Sequence, residues 1–310
     1  MNSAIIKVQS LTSPAGPIEY KIITKLDGST GPRHITRVSD GSHFVLKAPI
    51  DASGHELTSR NAHEANEYLA FQLYRAAGVR IPEGIELVKV LIEGKDVIGV
   101  LENFINGETL YNLMNLDDEK LRELTFPAIR NDLVIHALLA NWDINITANI
   151  MVERETGANA ELPYDYNNPI TIDCGGTLQF SAMGRIKEYG PVVTNVESIV
   201  RHSRPYKPMG ALMRMSKPEL KAEICGRWAT VDKRAVMDAF VSTKGIIAPY
   251  FAAAGLSVDS LGETLTARMA HFDALCGVAA AAVAANKGGG YRSRRRSRFR
   301  RRKGTRRVRR

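Results

Sequence analysis

The hydrophobic pattern of this chain changes period about a third of the way along, and that change limits its fold more than any other feature. Ile18 to Lys25, His34 to Val38 and His43 to Leu46-Lys47 alternate as strands, with Asp40-Gly41-Ser42 as a hairpin turn. Ile85 to Leu91 and Asp96 to Glu102 make two more strands around Glu93-Gly94-Lys95. Between the two groups a helix is expected from about Asn61 to Ala77. Its Ala62, Ala65, Leu69, Leu73 and Ala76 share one face, and Gly78 stands where a C-cap belongs. From Asp117 onward the pattern is mostly helical. Residues 131–140 read as a buried helix, and residues 151–154 and 169–172 read as a hairpin straddling a polar insertion. A strand-rich first third and a helical remainder predict an α+β fold in two lobes.

Composition narrows the class. Hydrophobic residues make up 44% of the 310, enough for a core. The longest apolar stretch, Ala274 to Ala285, falls short of the ~20 residues needed to span a bilayer. It reads as a packing helix, so no membrane partner is expected. The first seven residues carry no signal-peptide pattern, and the reading expects a chain kept in a reducing interior. Cys174, Cys225 and Cys276 are far apart and form no Cys-x-x-Cys, which speaks against zinc and disulfide frameworks. The net charge of +9 comes from one end: residues 291–310 hold twelve Arg and one Lys with no acid, leaving 29 basic against 33 acidic groups elsewhere.

Two segments carry the chemistry. Asn141-Trp142-Asp143 leads to Asn149, and Ile170-Thr171-Ile172-Asp173 runs into Cys174-Gly175-Gly176. An Asp to receive a hydroxyl proton, with an Asn and a second Asp to hold magnesium, is the set phosphoryl transfer needs. Asp143 is the candidate catalytic base. Asn149, with Asn145 as rival, and Asp173 are the candidate metal ligands. Upstream, Asp27-Gly28-Ser29-Thr30-Gly31 lies between two strands, where small residues let N–H groups and hydroxyls approach a polyphosphate. It lacks the Gly-Lys-Ser/Thr ending of a Walker A loop. Lys47 ends an apolar strand and would neutralise phosphate charge, with Glu67 twenty residues on as its partner and Glu64 as the rival. Glu102-Asn103-Phe104-Ile105-Asn106-Gly107 has the position of a hinge whose backbone, at Glu102 and Phe104, would meet an adenine.

In this order the pieces resemble an atypical member of the protein-kinase-like superfamily, close to the HipA-type and actin-fragmin-type kinases. The residues that carry the likeness are Gly28 to Gly31, Phe44-Val45-Leu46-Lys47, Glu67-Tyr68-Leu69 through Ile81-Pro82, and the two Asp segments, together covering about residues 18 to 190. The resemblance implies a β-rich N-lobe over residues 1–105 and a helical C-lobe over 106–286. It also implies ATP and Mg²⁺ as cofactors, a catalytic role for Asp143, and metal binding by Asn149 and Asp173. The sequence departs from that pattern in three ways. The Asp143–Asn149 interval is one residue longer than in His-Arg-Asp-x-x-x-x-Asn, Trp142 replaces the Arg, and no Ala-Pro-Glu follows Asp173.

Residues 287–310, jointed by the glycines at 288–290, form an Arg-rich tail with almost nothing to bury, and disorder is expected. Arg292, Arg294, Arg295, Arg296, Arg298, Arg300, Arg301 and Arg302 would bind phosphate backbones with little sequence readout. Nuclear localisation is the competing meaning, and tails of this kind on acidic bodies resemble those of virion core proteins. Phosphorylation of Ser293 or Ser297 would cancel positive charge. The expectation is a Ser/Thr protein kinase tethered to nucleic acid or nucleoprotein, with a catalytically inactive scaffold that binds nucleic acid as the alternative. A small-molecule kinase or nucleotidyl transfer on the same fold is a third reading. Substrate, oligomeric state and the choice of DNA or RNA stay open.

Overall fold

Six strands and one helix account for the first third of the chain. In the computed structural model, which describes residues 4–26, 31–92, 94–115, 121–141, 143–145, 147–155, 162–181, 184–193 and 217–277, the strands are β1 (Ile5–Ser10), β2 (Ile18–Lys25), β3 (Arg33–Arg37), β4 (His43–Lys47), β5 (Glu86–Ile92) and β6 (Lys95–Asn103). They close into an antiparallel barrel in the order β1-β2-β3-β4-β6-β5. Closure leaves no unpaired sheet edge. It depends on β1, which the sequence reading did not anticipate. Lys7 pairs with Glu19 of β2 on one side and Leu91 of β5 on the other, while Ile6 and Val8 point into a core shared with Tyr20, Ile35, Phe44, Leu46, Val90 and Val97.

Helix α1 (Gly54–Ala76) lies against β6 and β5. It begins seven residues before the expected start because its first two turns, from His55 to Arg60, hold a single apolar residue, Leu57, and so carry no apolar stripe. From Ala62 to Tyr74 it is buried nearly all round, as a central helix must be. Its end matches the expectation. Gly78 adopts φ +78°, its N–H bonds to Arg75 O, and the N–H of Val79 bonds to Tyr74 O, a Schellman cap.

The described residues that follow are mainly helical, with one small sheet. Strand β7 (Gly107–Thr109), α2 (Leu110–Asn115), a π-helical turn (Leu121–Thr125) and α3 (Phe126–Leu138) lead to two 3₁₀ turns, Asp143–Asn145 and Thr147–Asn149. Strands β8 (Ile150–Glu153) and β9 (Ile170–Thr171) follow, and the sheet order is β7-β8-β9. The expected hairpin is therefore present, with Ile150 opposite Thr171. Helices α4 (Lys217–Thr230), α5 (Lys233–Ala253) and α6 (Val258–Cys276) complete the compact unit, which runs to Cys276. Helix α5 packs on α1, and α4 packs on α3.

One sequence expectation is corrected here. Cys225 and Cys276 form a disulfide between α4 and the end of α6, while Cys174 stays free and buried. A spacing of 51 residues carries no sequence signature, and only the packing of α6 on α4 brings the pair together. Among the described residues no helix is long and apolar enough to cross a membrane. The packing helix expected to continue to Ala285 is described only as far as Cys276, and the Arg-rich tail, like Gly28, Ser29 and Thr30, lies outside the described residues.

Candidate active site

The site forms where β4, α1 and the loops flanking β8 and β9 meet. Lys47 ends β4, facing the same way as Val45, and α1 carries Glu67 beneath it. Lys47 Nζ donates to Glu67 Oε1 at 2.7 Å and to the backbone oxygen of Ile172 at 2.5 Å. Of the two glutamates weighed, Glu67 is the one in contact with Lys47. Glu64, one turn earlier, faces His63 Nδ1 at 3.5 Å. A third carboxylate was not foreseen in this role. Glu102, expected to contribute backbone at a hinge, turns its side chain inward to 3.7 Å from Lys47. Register explains it, since Val45 pairs with Glu102 and Lys47 with Val100.

Lys47, Glu67 and Glu102 are all buried, so two carboxylates share one ammonium out of water. Burial pushes Glu67 up to about 7, helped by Asp173 and Glu64 and opposed by Lys47. Burial likewise pushes Glu102 up to about 7. For Lys47 burial acts downward, but Glu102, Glu67 and Asp173 outweigh it and hold the ammonium well above its ordinary range. A trio of one cation and two anions carries an unbalanced negative charge, which a proton on one of the carboxylates relieves.

The pairing of β8 with β9 sets the other half. Ile172 N donates to Asn149 O at 3.0 Å, which brings Asn149 beside the residue preceding Asp173. Asp173 Oδ1 accepts the N–H of Gly175, and the N–H of Cys174 reaches Glu67 Oε1 at 3.4 Å. Gly175 has to be glycine. A Cβ there would stand 2.8 Å from the His63 ring and 3.4 Å from Glu67 Oε2. Asn149 Nδ2 donates to Asp143 O at 3.1 Å, so its amide nitrogen ties down the loop while its oxygen accepts no hydrogen bond among the described residues. The fit to magnesium rests on that oxygen and the Asp173 carboxylate. No group of three His, Cys, Asp or Glu gathers into a dedicated cage among the described residues. A magnesium ion held by one or two protein oxygens and completed by phosphates and water needs no such cage.

Asp143 is positioned by the end of α3. That helix starts with a proline in its first turn, is buried from Leu133 to its end at Leu138, and is followed by Ala140, which adopts φ +52° without being glycine. Asn141 N then bonds to His136 O, Asn141 Nδ2 donates to Tyr74 Oη, and Asn141 Oδ1 accepts from the N–H of Asp143. Burial pushes His136 down to about 3, leaving a neutral ring that meets Tyr74 Oη at 2.8 Å. Asp143 itself is raised, chiefly by burial and then by Asp173, against the pull of Lys187 and His63.

Of the remaining predicted residues, Gly31 and Phe104 are described. Gly31 adopts φ +65° at the described edge of the expected phosphate loop. The N–H of Phe104 is already donated to His43 O at 3.2 Å, and its half-exposed ring stacks on His34 with centroids 4.5 Å apart. The side chain of Asn145 lies outside the described residues, as do Trp142 and the tail arginines. Sequence reasoning missed Lys187, a basic residue in a segment with no periodicity, whose ammonium reaches Ala140 O and Gly176 O.

No family model matches the chain. No curated protein matches it either. Among solved structures, the Helicobacter pylori proinflammatory kinase CtkA is similar at 13% identity and a TM-score of 0.42, over 88% of this chain and 98% of that one. The Neurospora crassa PAN3 pseudokinase is similar at 13% identity and a TM-score of 0.28, over 90% of this chain and 66% of that one. Both are too distant to transfer a residue role or an activity.

Proposed function

We propose that the protein is a phosphotransferase of protein-kinase-like architecture, moving the γ-phosphoryl group of ATP to a Ser or Thr hydroxyl of a protein. The observation that carries this reading is Lys47, which touches Glu67 of α1 and the backbone of Ile172, one residue before Asp173. A single ammonium thereby joins the strand, the helix and the acidic loop that phosphoryl transfer requires together.

In this mechanism Lys47 neutralises the α- and β-phosphates, held in place by Glu67. Asp143 accepts the proton of the acceptor hydroxyl as its oxygen bonds to phosphorus and the bond to the ADP oxygen breaks. Its raised affinity for protons suits that task. Asn149 and Asp173 would hold Mg²⁺, which supplies charge neutralisation at the transferring group. The test is label transfer from γ-labelled ATP to a basic protein substrate, wild type against Asp143→Ala, without nucleic acid. Transfer lost in the variant supports the assignment, and transfer retained removes Asp143 from it.

One observation favours a second reading, a scaffold without catalysis. Glu102 competes with phosphate for Lys47, so the site balances part of its own charge before any nucleotide arrives. Nucleotide-dependent thermal stabilisation without transfer would support that alternative. In either case the Arg-rich tail, from Arg292 through Arg302 and on to Arg310, is proposed to bind nucleic acid electrostatically, in a nucleoprotein, nuclear or virion setting. Deleting residues 288–310 should abolish that binding. Binding retained at moderate salt would move the contact to the body.

A further inference from the structure

We infer that Lys187 is a positioning residue for phosphoryl transfer, whose ammonium clamps the Asp143 loop to the Asp173 loop and supplies the positive charge opposite Asp143. The inference rests on the phosphotransferase reading above and adds to it a residue outside both Asp segments.

The segment from Asp143 to Asn149, Asp-Ile-Asn-Ile-Thr-Ala-Asn, contains no Lys or Arg. Lys47 is engaged by Glu67 and Glu102. Among the described residues neither Asp143 nor Asp173 has a cation in salt-bridge contact, so the acceptor side of the site carries two carboxylates and little to offset them. Lys187 is the cation that acts most on Asp143.

Its placement is built rather than incidental. Lys187 Nζ donates to Ala140 O at 2.6 Å and to Gly176 O at 2.5 Å. Ala140 stands three residues before Asp143, and Gly176 three residues after Asp173. The backbone makes the same join once more, through Leu178 N to Leu139 O at 2.7 Å, while Lys187 N to Gln179 O, also at 2.7 Å, ties Lys187 to the segment after Asp173. Both loops turn through left-handed non-glycine residues, Ala140 at φ +52° and Leu178 at φ +51°. Each such residue costs roughly 1–2 kcal/mol and persists only where its surroundings enforce it. Two of the three ammonium hydrogens meet carbonyls, and the third has no protein acceptor among the described residues.

Neighbouring contacts separate this role from ordinary helix capping. The last carbonyls of α3 are already met by Arg268, which donates to Ala137 O and Leu138 O, and by Tyr189 Oη, which donates to Leu138 O. The helix end therefore has its cation. Lys187 sits one step further on, between the loops. Burial lowers its pKa to about 8 while the charge of Asp143 pulls it upward, so the ammonium is held partly out of water.

The experiment compares Lys187→Gln and Lys187→Arg with wild type, measuring kcat for label transfer, KM for ATP, ATP-induced thermal stabilisation and the melting transition. Gln keeps N–H donors for the carbonyls and removes the charge, whereas Arg keeps both. The expected result is a fall of roughly 100-fold in kcat for Lys187→Gln, in line with removing one preorganised electrostatic group. KM and nucleotide stabilisation should stay unchanged, and Lys187→Arg should recover much of the rate. Full activity in Lys187→Gln would overturn the inference, because the clamp would then act only as a tether. Parallel losses of kcat and ATP stabilisation, or a variant that no longer melts cooperatively, would overturn it as well by assigning Lys187 to folding. If wild type transfers no phosphoryl group, the phosphotransferase reading fails first and this inference falls with it.

Discussion

The two sides of the candidate site handle charge in opposite ways. On the barrel side, Lys47 is buried between Glu67 and Glu102, and every member of the trio faces another. On the loop side, Asp143 and Asp173 have no cation in contact among the described residues, and the ammonium of Lys187 bonds to backbone carbonyls rather than to either carboxylate. The barrel side is assembled in advance at a desolvation cost. The loop side leaves negative charge open for something to be bound. A site organised this way holds its architecture without ligand and keeps its chemistry waiting for one.

The sharpest way to break that contrast is Asp143→Ala. The expected loss is roughly 10²–10⁴-fold in label transfer with the melting transition preserved, because Asp143 supports chemistry rather than packing. A matching loss of stability would make the loop side structural too. Lys47→Ala should do the reverse and act first on stability. Removing one partner of a buried ion pair costs about 3–5 kcal/mol, and here it strands two carboxylates. Because those carboxylates can take up protons, the destabilisation measured by denaturant should be larger at pH 8 than at pH 6. A loss independent of pH would deny the shared charge.

Gly175→Ala tests how tightly the sides are joined. The new methyl group meets the buried His63 ring, and an overpacking penalty of roughly 1–3 kcal/mol is expected in thermal or chemical unfolding. An unperturbed melt would mean the Asp173 loop moves freely from α1. A smaller effect isolates Glu102. Its pKa is about 7 in the folded chain against 4.5 ordinarily, so the folded state holds its proton where the unfolded state has lost it. Its contribution is full below about pH 4.5 and fades as pH rises through 7. Glu102→Gln should flatten that decline relative to wild type, and identical pH–stability curves would show that Glu102 does not titrate there. Least of all, removing residues 288–310 should leave the melting transition of the body unchanged. A shift would show that the tail packs on it.

Several of these parts were legible in the sequence for local reasons. Gly41 and Gly94 mark turns between β-branched runs, and Gly78 marks a cap, so β2, β4, β5, β6 and the end of α1 fell within a residue or so of expectation. The parts that escaped lacked a local signal. Strand β1 is half exposed, and only its pairing with both β2 and β5 makes it a strand. The opening turns of α1 are polar but for Leu57 and are carried by the buried remainder. Glu102 looked like backbone at a hinge because nothing local says which way a strand-end side chain turns.

The sequence alone determined the order of chemical groups: a lysine ending a strand, a glutamate on the next helix, then an Asp–Asn pair and an Asp before two glycines. Periodicity and turn residues act over a few positions, so they can place such groups on elements. Tertiary structure decided which of them meet. It chose Glu67 over Glu64, brought in Glu102 through strand register, closed the barrel with β1, joined Cys225 to Cys276 and set Lys187 between two loops. Each choice depends on burial and on pairing between residues far apart in the chain. Those energies exist only once the core has formed.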